Sequence, residues 1–165
     1  MKVLWAPWRM IYIRRFSSEN RPECFLCKAA REKNDEENLV VFRGETCFVI
    51  MNRFPYNNGH LMVAPYRHVG SILELREEES AEIMSLLKLS VKALSEEYKP
   101  DGYNIGLNLG RVAGAGLADH IHFHVVPRWA GDTNFMPVIS ETKVIPEGLE
   151  ETWRRLKSRF NRLRA

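Results

Sequence analysis

Several short stretches of the chain combine apolar, β-branched and aromatic residues in the way typical of β-strands. LVVF (39–42) and CFVIM (47–51) flank the glycine-containing turn RGET, which predicts a β-hairpin. HLMVAP (60–65) predicts a third strand, and the turn-forming residues of NRFPYNNG before it place His60 at the start of that strand. YNIGLNL (103–109) predicts a fourth strand.

Two longer segments repeat apolar residues at the spacing of an amphipathic helix. Between Glu77 and Tyr98 these residues are Ile83, Leu87, Val91, Leu94 and Tyr98. From Pro146 onward they are Leu149, Trp153, Leu156, Phe160 and Leu163, accompanied by six basic residues between positions 154 and 164. We interpret this C-terminal segment as a docked helix with a solvated basic face, in preference to a phosphate-binding or partner-binding helix.

The order of these elements predicts the fold class. Strands followed by a helix and then by more strands, with short connections, predict an α+β fold with a mainly antiparallel sheet of about five strands. A chain of 165 residues suits one domain. We therefore expect a single domain over residues 1–165, with an N-terminal segment (1–38) and a C-terminal helix (146–165).

The predicted fifth strand, DHIHFHVVPRWAGD (119–132), has a histidine at every second position. A strand would place His120, His122 and His124 on one face and the intervening apolar residues on the other. At a rise of ~3.3 Å per residue the outer two lie roughly 13 Å apart, too far for one metal ion to bind all three. The three histidines must therefore differ in role.

A histidine on such a face can carry a nucleotidyl group. Neutral imidazole attacks phosphorus, provided that its other ring nitrogen is held by an acceptor and that donors surround the phosphate. The main-chain amides of GAGLAD (114–119), in the glycine-containing loop before the strand, and the flanking histidines are candidate donors. The alternatives are ordinary polar residues on a solvent-facing strand, or a simple metal site.

The chain contains three cysteines, an odd number that argues against a disulfide framework. Cys47 lies in an apolar stretch and is expected to be a buried thiol. Cys24 and Cys27 have the Cys-x-x-Cys spacing at which two thiolates bind one zinc ion. The nearest downstream histidines, His60 and His68, lie beyond the spacing of a compact zinc finger, so any such site must be completed by tertiary folding.

Charge and composition narrow the possible partners. A net charge of +3 and a pI near 8.8 suit phosphate-bearing ligands but fall short of a nucleic-acid-binding surface. The first residues lack the uninterrupted apolar core of a signal peptide, and no stretch approaches the length of a membrane span. We expect a cytoplasmic protein without nucleic-acid or membrane partners.

The motif HIHFHVV resembles the signature of the histidine triad family of nucleotide hydrolases and transferases. NRFPYNNGHLMVAPYRHV (52–69) also resembles the family's first nucleotide-binding loop and strand. Within the family, LWAPWRMIYI (4–13) and GAGLADHIHFHVVPRWAGDTNFMPVI (114–139) are most similar to the bacterial diadenosine tetraphosphate phosphorylase branch. One departure precedes the triad, where many members have Gln or a hydroxyl residue and this chain has Gly116 and Leu117.

The resemblance implies a role for each matching position. His122 would be the nucleophile, His124 would contact the scissile phosphate or the bridging oxygen, and His60 would lie beside them. The implied or candidate nucleotide-binding residues are Asn52, Asn108, Gly114, Gly116 and Arg128. Zinc-binding members use a Cys-x-x-Cys, the histidine of a P-x-x-H segment and the first triad histidine. A structural zinc would therefore be bound by Cys24, Cys27, His68 and His120.

The resemblance predicts cleavage of dinucleoside polyphosphates through a nucleotidyl-histidine intermediate. Phosphorolysis of diadenosine tetraphosphate to ADP and ATP, with inorganic phosphate as co-substrate, is the first reading. A hydrolase or a nucleoside phosphoramidase releasing AMP is the second, and a non-catalytic, zinc-stabilised nucleotide-binding module is the third. The resemblance also implies a homodimer. Trp129 and Phe135 could equally stack on a base or belong to the core.

Overall fold

The computed structural model describes residues 23–134, 136 and 143–164. Its helices and strands, in chain order, are α1 (Phe25–Arg31), β1 (Val40–Arg43), β2 (Cys47–Met51), β3 (Leu61–Pro65), α2 (Glu77–Tyr98), β4 (Gly102–Leu107), β5 (Phe123–Arg128) and α3 (Leu149–Arg164). The segment LWAPWRMIYI and Phe135, both considered above, lie outside the described residues. Within them, no helix is long and apolar enough to cross a membrane.

The five strands form one antiparallel sheet with the order β1-β2-β3-β5-β4. β5 therefore lies between β3 and β4, although it is the last strand in sequence. His124 is paired with Met62 on β3 and with Gly106 on β4. The predicted α+β fold with five antiparallel strands, a long central helix and a C-terminal helix is confirmed.

The two faces of the sheet are covered unequally. On one face α2 and α3 pack against β1, β2, β3 and β5, with Ile83, Leu94, Leu156 and Phe160 in a buried cluster. On the other face α1 contributes Leu26 and Ala29 to a smaller cluster. The residues of the sheet in this second cluster come from β1, β2 and β3 (Val40, Phe48, Ile50, Met62 and Ala64). His124 belongs to neither cluster, but its pairing with Met62 places it on the second face, beyond the part that α1 covers.

The predicted fifth strand is shorter than expected. β5 begins at Phe123, so His120 and His122 precede it and only His124 is a strand residue. If the register of β3 and β5 continued, Ile121 would face Pro65, which has no backbone N–H to extend the ladder. Ile121 instead donates its N–H to the carbonyl of Val69, at 2.7 Å. His120 and His122 thus lie on the segment that leads into the strand, so the three histidines do not share one flat strand face.

The C-terminal helix is docked, as its apolar stripe predicts. Leu156 and Phe160 are fully buried, and the indole of Trp153 donates to the carbonyl of Val40 at 3.0 Å. Its basic face is not simply solvated, however. Arg155 and Arg159 both pair with Glu97 on α2, at 2.8 Å. Ion pairs to the neighbouring helix therefore supplement the apolar contact.

Candidate active site and metal cluster

His60 is delivered to the sheet by the tight turn that precedes β3. Asn52 donates its N–H to the carbonyl of His60 at 2.9 Å, and His60 donates its N–H to the carbonyl of Asn57 at 3.2 Å. Gly59 has φ +72°, and a Cβ atom there would lie 2.9 Å from Cδ2 of Leu94. Only glycine suits this position, because both the backbone conformation and the space exclude a side chain.

The hydrogen bonds of His60 determine its tautomer. Its Nδ1 accepts the backbone N–H of Tyr56 at 3.1 Å, and the side-chain amide of Asn52 approaches the same atom at 3.4 Å. A neutral His60 therefore carries its proton on Nε2, which lies 2.9 Å from Nδ1 of His124. His124 accepts this hydrogen bond, so its own proton lies on Nε2. Tyr56 thus donates to His60 and His60 donates to His124, which leaves the Nε2–H of His124 as the last donor.

His122 has the opposite arrangement. Its Nδ1 lies 2.8 Å from the carbonyl oxygen of His120, so Nδ1 carries the proton and the lone pair is on Nε2. The ring is almost completely buried, and its centroid lies 4.9 Å from that of His124. A nucleophilic lone pair and a proton donor therefore lie side by side.

Burial keeps these rings neutral. It lowers the pKa of His60 to about 3, and positive charge on His124 or His122 would lower it further. Burial also lowers the pKa of His122, although the hydrogen bond to the carbonyl of His120 opposes this. At neutral pH both rings are unprotonated at one nitrogen, which is the state that nucleophilic attack requires.

The surroundings of the histidines leave room for a ligand. A Cβ atom on Gly106, which is paired with His124, would meet nothing within 4 Å. Continuing the register by one residue beyond Leu107 places Asn108 opposite His122. Asn52 lies next to His60, as described. The structure thus brings Asn52 to the histidine cluster, and the continued register would place Asn108 there as well.

The glycine loop offers fewer free amides than the sequence suggests. The N–H of Gly114 bonds to the carbonyl of Arg111 at 3.0 Å, and the next amide, that of Ala115, bonds to Gly110 at 3.3 Å. Gly114 has φ +93° and ends the short 3₁₀ turn Arg111–Ala113. Gly116 is half-buried just before the histidine segment. Of the two glycines, Gly116 is the better candidate for a phosphate donor.

The structure does not bring Arg128 to the histidines. It lies four residues after His124 on β5, which corresponds to roughly 13 Å. Its guanidinium group binds both carboxylate oxygens of Asp132, at 2.6 and 3.1 Å, and Oδ1 of Asn104 at 2.7 Å. The ion pair lowers the pKa of Asp132 and holds Arg128 at the far end of the strand.

A second cluster includes His120, two residues before His122. The ligand atoms of Cys24, Cys27, His68 and His120 all lie within 4.8 Å of one another. Nδ1 of His68 is 3.1 Å from Sγ of Cys27, and Nδ1 of His120 is 3.3 Å from Sγ of Cys24. Nε2 of His120 donates to the carbonyl of Pro65 at 2.9 Å, which leaves the lone pair of Nδ1 directed at the thiols.

This cluster fits a tetrahedral metal ion. Bonds of ~2.0–2.3 Å to N and S ligands place neighbouring ligand atoms roughly 3.3–3.8 Å apart, close to the separations observed. The hydrogen bond from His120 to Pro65 orients a ligand in the way that outer partners of metal-bound histidines do. The four residues therefore can hold a metal ion. Cys24 lies directly before α1 and Cys27 within it, His68 lies in the segment after β3, and His120 lies at the start of the histidine motif.

Reasoning from the sequence missed two groups that organise the site. The backbone N–H of Tyr56 sets the tautomer of His60, and the carbonyl of Pro65 orients His120. Both are main-chain groups, so their roles cannot be predicted from the type of residue at these positions. For Tyr56 the turn-forming composition of 52–59 was the available signal, since such a turn directs amides inward.

Comparison with known proteins agrees with this geometry. A family model described as "HIT domain" matches residues 33–131. The chain is 42% identical over 167 residues to AP-4-A phosphorylase of Mycobacterium tuberculosis, an alignment covering 98% of this chain and 86% of that protein. It is 31% identical over 105 residues to adenosine 5'-monophosphoramidase hnt1 of Schizosaccharomyces pombe, covering 64% and 74% of the two chains.

A solved structure is similar over most of the chain. The Zn-bound histidine triad family protein from Mycobacterium smegmatis superposes with a TM-score of 0.67 at 25% identity, covering 86% of this chain and 96% of that one. The chain therefore belongs to the HIT (histidine triad) family.

Proposed function

We propose that this protein is an enzyme that cleaves diadenosine tetraphosphate by phosphorolysis, giving ADP and ATP through a nucleotidyl-histidine intermediate. The identity of 42% to AP-4-A phosphorylase supports the substrate. The observation that carries the chemistry is the bond from Nδ1–H of His122 to the carbonyl of His120, which leaves Nε2 as a lone-pair donor beside His124.

The first half-reaction follows from the two tautomers. Nε2 of His122 attacks the α-phosphorus, a P–N bond forms, and the P–O bond to the departing ATP breaks. The Nε2–H of His124 donates to the oxygen that bridges to the leaving group, and so stabilises the charge that develops there. His60 keeps that proton on Nε2 by donating to Nδ1 of His124.

In the second half-reaction an oxygen of inorganic phosphate attacks the same phosphorus. The P–N bond breaks, His122 regains its lone pair, and ADP is released. Asn108 and the Gly116 amide are the proposed donors to the phosphates, and Asn52 is the proposed ribose contact. Gly114 contributes through the shape of its turn, because its N–H is already bonded to Arg111.

We propose that Cys24, Cys27, His68 and His120 bind a structural zinc ion. Four ligands close the coordination sphere, and bound zinc would supply cross-linking of α1 to the sheet without a position for substrate. The cluster geometry and the Zn-bound relative from Mycobacterium smegmatis support this assignment.

We also propose a homodimer in which β4 contacts a second copy. β4 is an edge strand that pairs only with β5 within the described residues. Ile105 is 49% exposed and Leu109 44% exposed along that edge. An unpaired strand edge with apolar side chains is suited to pairing with another chain. Light scattering should give twice the chain mass, and Ile105→Lys should shift it toward the monomer.

Product analysis tests the proposed reaction. Diadenosine tetraphosphate with millimolar labelled phosphate should yield ATP and labelled ADP, and turnover should fall steeply without phosphate. If AMP remains the main product at a rate independent of phosphate, the enzyme is a hydrolase of the same family. If acid-quenched enzyme carries no nucleotide and none of the products appear, the protein is a nucleotide-binding module.

A further inference from the structure

A half-buried carboxylate outside the histidine clusters connects three parts of the fold. Oε2 of Glu147 accepts hydrogen bonds from the hydroxyl of Tyr98 at the end of α2, at 2.7 Å, and from the hydroxyl of Thr152 in α3. The same oxygen accepts from the side-chain amide of Asn58, at 3.3 Å. Oε1 pairs with Arg155. One oxygen atom therefore joins α2, α3 and the turn that delivers His60.

Glu147 and α3 lie beyond the matched HIT domain, which ends at residue 131. The side chain of Glu147 is only 17% exposed, so its charge depends on these partners. Burial raises its pKa, but the hydrogen bonds from Thr152, Tyr98 and Asn58 outweigh burial and lower it. The ionised carboxylate of Glu147, which has four partners and lies outside the matched domain, thus contacts the turn that precedes His60.

The turn is held at two adjacent residues by two different parts of the fold. The side-chain amide of Asn57 donates to the carbonyl of Pro127 at 3.0 Å and to Asp132 at 2.7 Å. Asn58 is held by Glu147. The next residue, Gly59, leaves no space for even a methyl group against Leu94, and the ring of Tyr98 lies 3.4 Å from the same point. Asn57 fastens the turn to the sheet, and Asn58 fastens it to the C-terminal segment.

We propose that Glu147 is a positioning residue for the pair formed by His60 and His124. By holding Asn58 it fixes the turn in which the Tyr56 N–H sets the tautomer of His60. The catalytic consequence rests on the proposed function. The two bonds that depend on the turn, Tyr56 N to His60 Nδ1 and His60 Nε2 to His124 Nδ1, are 3.1 and 2.9 Å long. A displacement of about 1 Å breaks either of them, and misplacement of that size can lower turnover up to ~100-fold.

Three substitutions separate positioning from helix docking. Glu147→Ala removes all four contacts. Glu147→Gln can keep its carbonyl oxygen in the place of Oε2, which preserves the bonds from Tyr98, Thr152 and Asn58 but removes the ion pair with Arg155. The matched control is Glu97→Ala, because Glu97 binds α3 through Arg155 and Arg159 and makes no hydrogen bond to the turn among the described residues.

Steady-state kinetics on the full-length protein, below every variant's melting temperature, give the first readout. We expect Glu147→Ala to lower kcat by about 10- to 100-fold with little change in KM. Glu147→Gln should retain kcat within a few-fold while losing thermal stability, and Glu97→Ala should do the same. Equal loss of kcat in Glu97→Ala and Glu147→Ala would overturn the proposal, because docking of α3 would then explain both.

A double-mutant cycle with Asn58→Ala tests the contact itself. The losses in kcat from Glu147→Ala and Asn58→Ala should not multiply, whereas those from Glu97→Ala and Asn58→Ala should. Multiplying losses in the first pair would contradict the proposal. Asn58→Ala also keeps the test decisive if Glu147→Ala fails to fold, since it breaks the same contact from the other side.

Nitrogen NMR of the histidine rings gives a readout that needs no substrate. Long-range ¹H–¹⁵N correlation should show the Nε2–H tautomer for His60 and His124 in the wild type and a tautomer mixture in Glu147→Ala. Unchanged tautomers would overturn positioning even if the diadenosine tetraphosphate activity is present. Shifted tautomers in a protein without that activity would leave positioning intact and contradict the proposed reaction instead.

Discussion

The two histidine clusters contain histidines only two positions apart in the chain, His120 and His122, whose rings have opposite orientations. In the metal cluster, Nε2 of His120 is bound to a carbonyl and its free Nδ1 faces two thiols. In the catalytic cluster, Nδ1 of His122 is bound to a carbonyl and its free Nε2 lies beside another imidazole. The first cluster has four converging ligands, and the second faces the open space beside Gly106.

This difference supports the two proposed roles, because the partner of one ring nitrogen decides where the lone pair of the other points. A carbonyl holds the proton on one nitrogen and directs the lone pair of the other. A histidine whose lone pair faces thiol sulfur is suited to bind a metal ion, and one whose lone pair faces open space is suited to act as a nucleophile. Substitutions at the two clusters should therefore have different effects, on turnover in one and on stability in the other.

Removal of the nucleophile should abolish turnover without unfolding the protein. We expect His122→Ala to lower turnover by at least ~10³-fold, or about 4 kcal/mol of transition-state stabilisation, because no other group forms the covalent intermediate. Single-turnover kinetics and acid-quench labelling measure this. Activity within tenfold of the wild type would show that His122 is not the nucleophile.

Loss of a metal ligand should act on stability instead. We expect one zinc per chain, and Cys24→Ser should destabilise the fold by about 2.7 kcal/mol, the contribution of a ligand present at 100 times its Kd. His120→Ala should behave in the same way, and both should exceed the effect of His122→Ala on the melting temperature. Cys47→Ser is the control, since this buried thiol lies outside the cluster. Metal analysis that finds no zinc in protein purified without chelators would refute the assignment.

The buried His60 should make the fold sensitive to acid. Its pKa in the folded protein, about 3, lies below the ~6.5 of an unfolded histidine, so the unfolded chain takes up the proton first as the pH falls. The stability is present above about pH 6.5 and is lost on the way to pH 3, at up to ~1.4 kcal/mol per pH unit. Urea unfolding of His60→Gln between pH 7 and pH 4 should show a shallower slope. An unchanged slope would mean that His60 is not buried as a neutral ring.

The smallest effect is expected at Arg128. Because its guanidinium is paired with Asp132 at the far end of β5, away from the histidines, Arg128→Gln should change kcat/KM by less than about fivefold, or ~1 kcal/mol. Titration of phosphate dependence measures it. A large rise in the KM for phosphate would restore Arg128 to the anion site.

The regular elements were predictable from the sequence because their patterns are local. The apolar spacing from Glu77 to Tyr98 predicts a helix with the bounds observed, and CFVIM predicts β2 residue for residue. The fifth strand was predicted too long, because pairing at its start depends on Pro65, a residue 56 positions before Ile121.

The candidate site was predictable only in part. Residue types and the family resemblance identified the histidine, cysteine and asparagine positions of the two clusters. The tautomers follow from backbone groups, which have no sequence signature. The ion pair of Arg128 with Asp132 was equally unpredictable. A basic residue near a phosphate-binding motif suggests an anion site, and the sequence does not show that its charge is already paired with a carboxylate.

The strand β3 also has a consequence for how this chain can change in length. His60 precedes its first residue, and the carbonyl of its last residue, Pro65, holds His120. The five residues of β3, which span ~16 Å, thus set the distance between the catalytic and the metal cluster. All five are buried and paired in register with β2. Adding or deleting one residue would turn every following side chain to the opposite face. Insertions can therefore accumulate in the loops of this protein, but the interval from His60 to Pro65 has a fixed length.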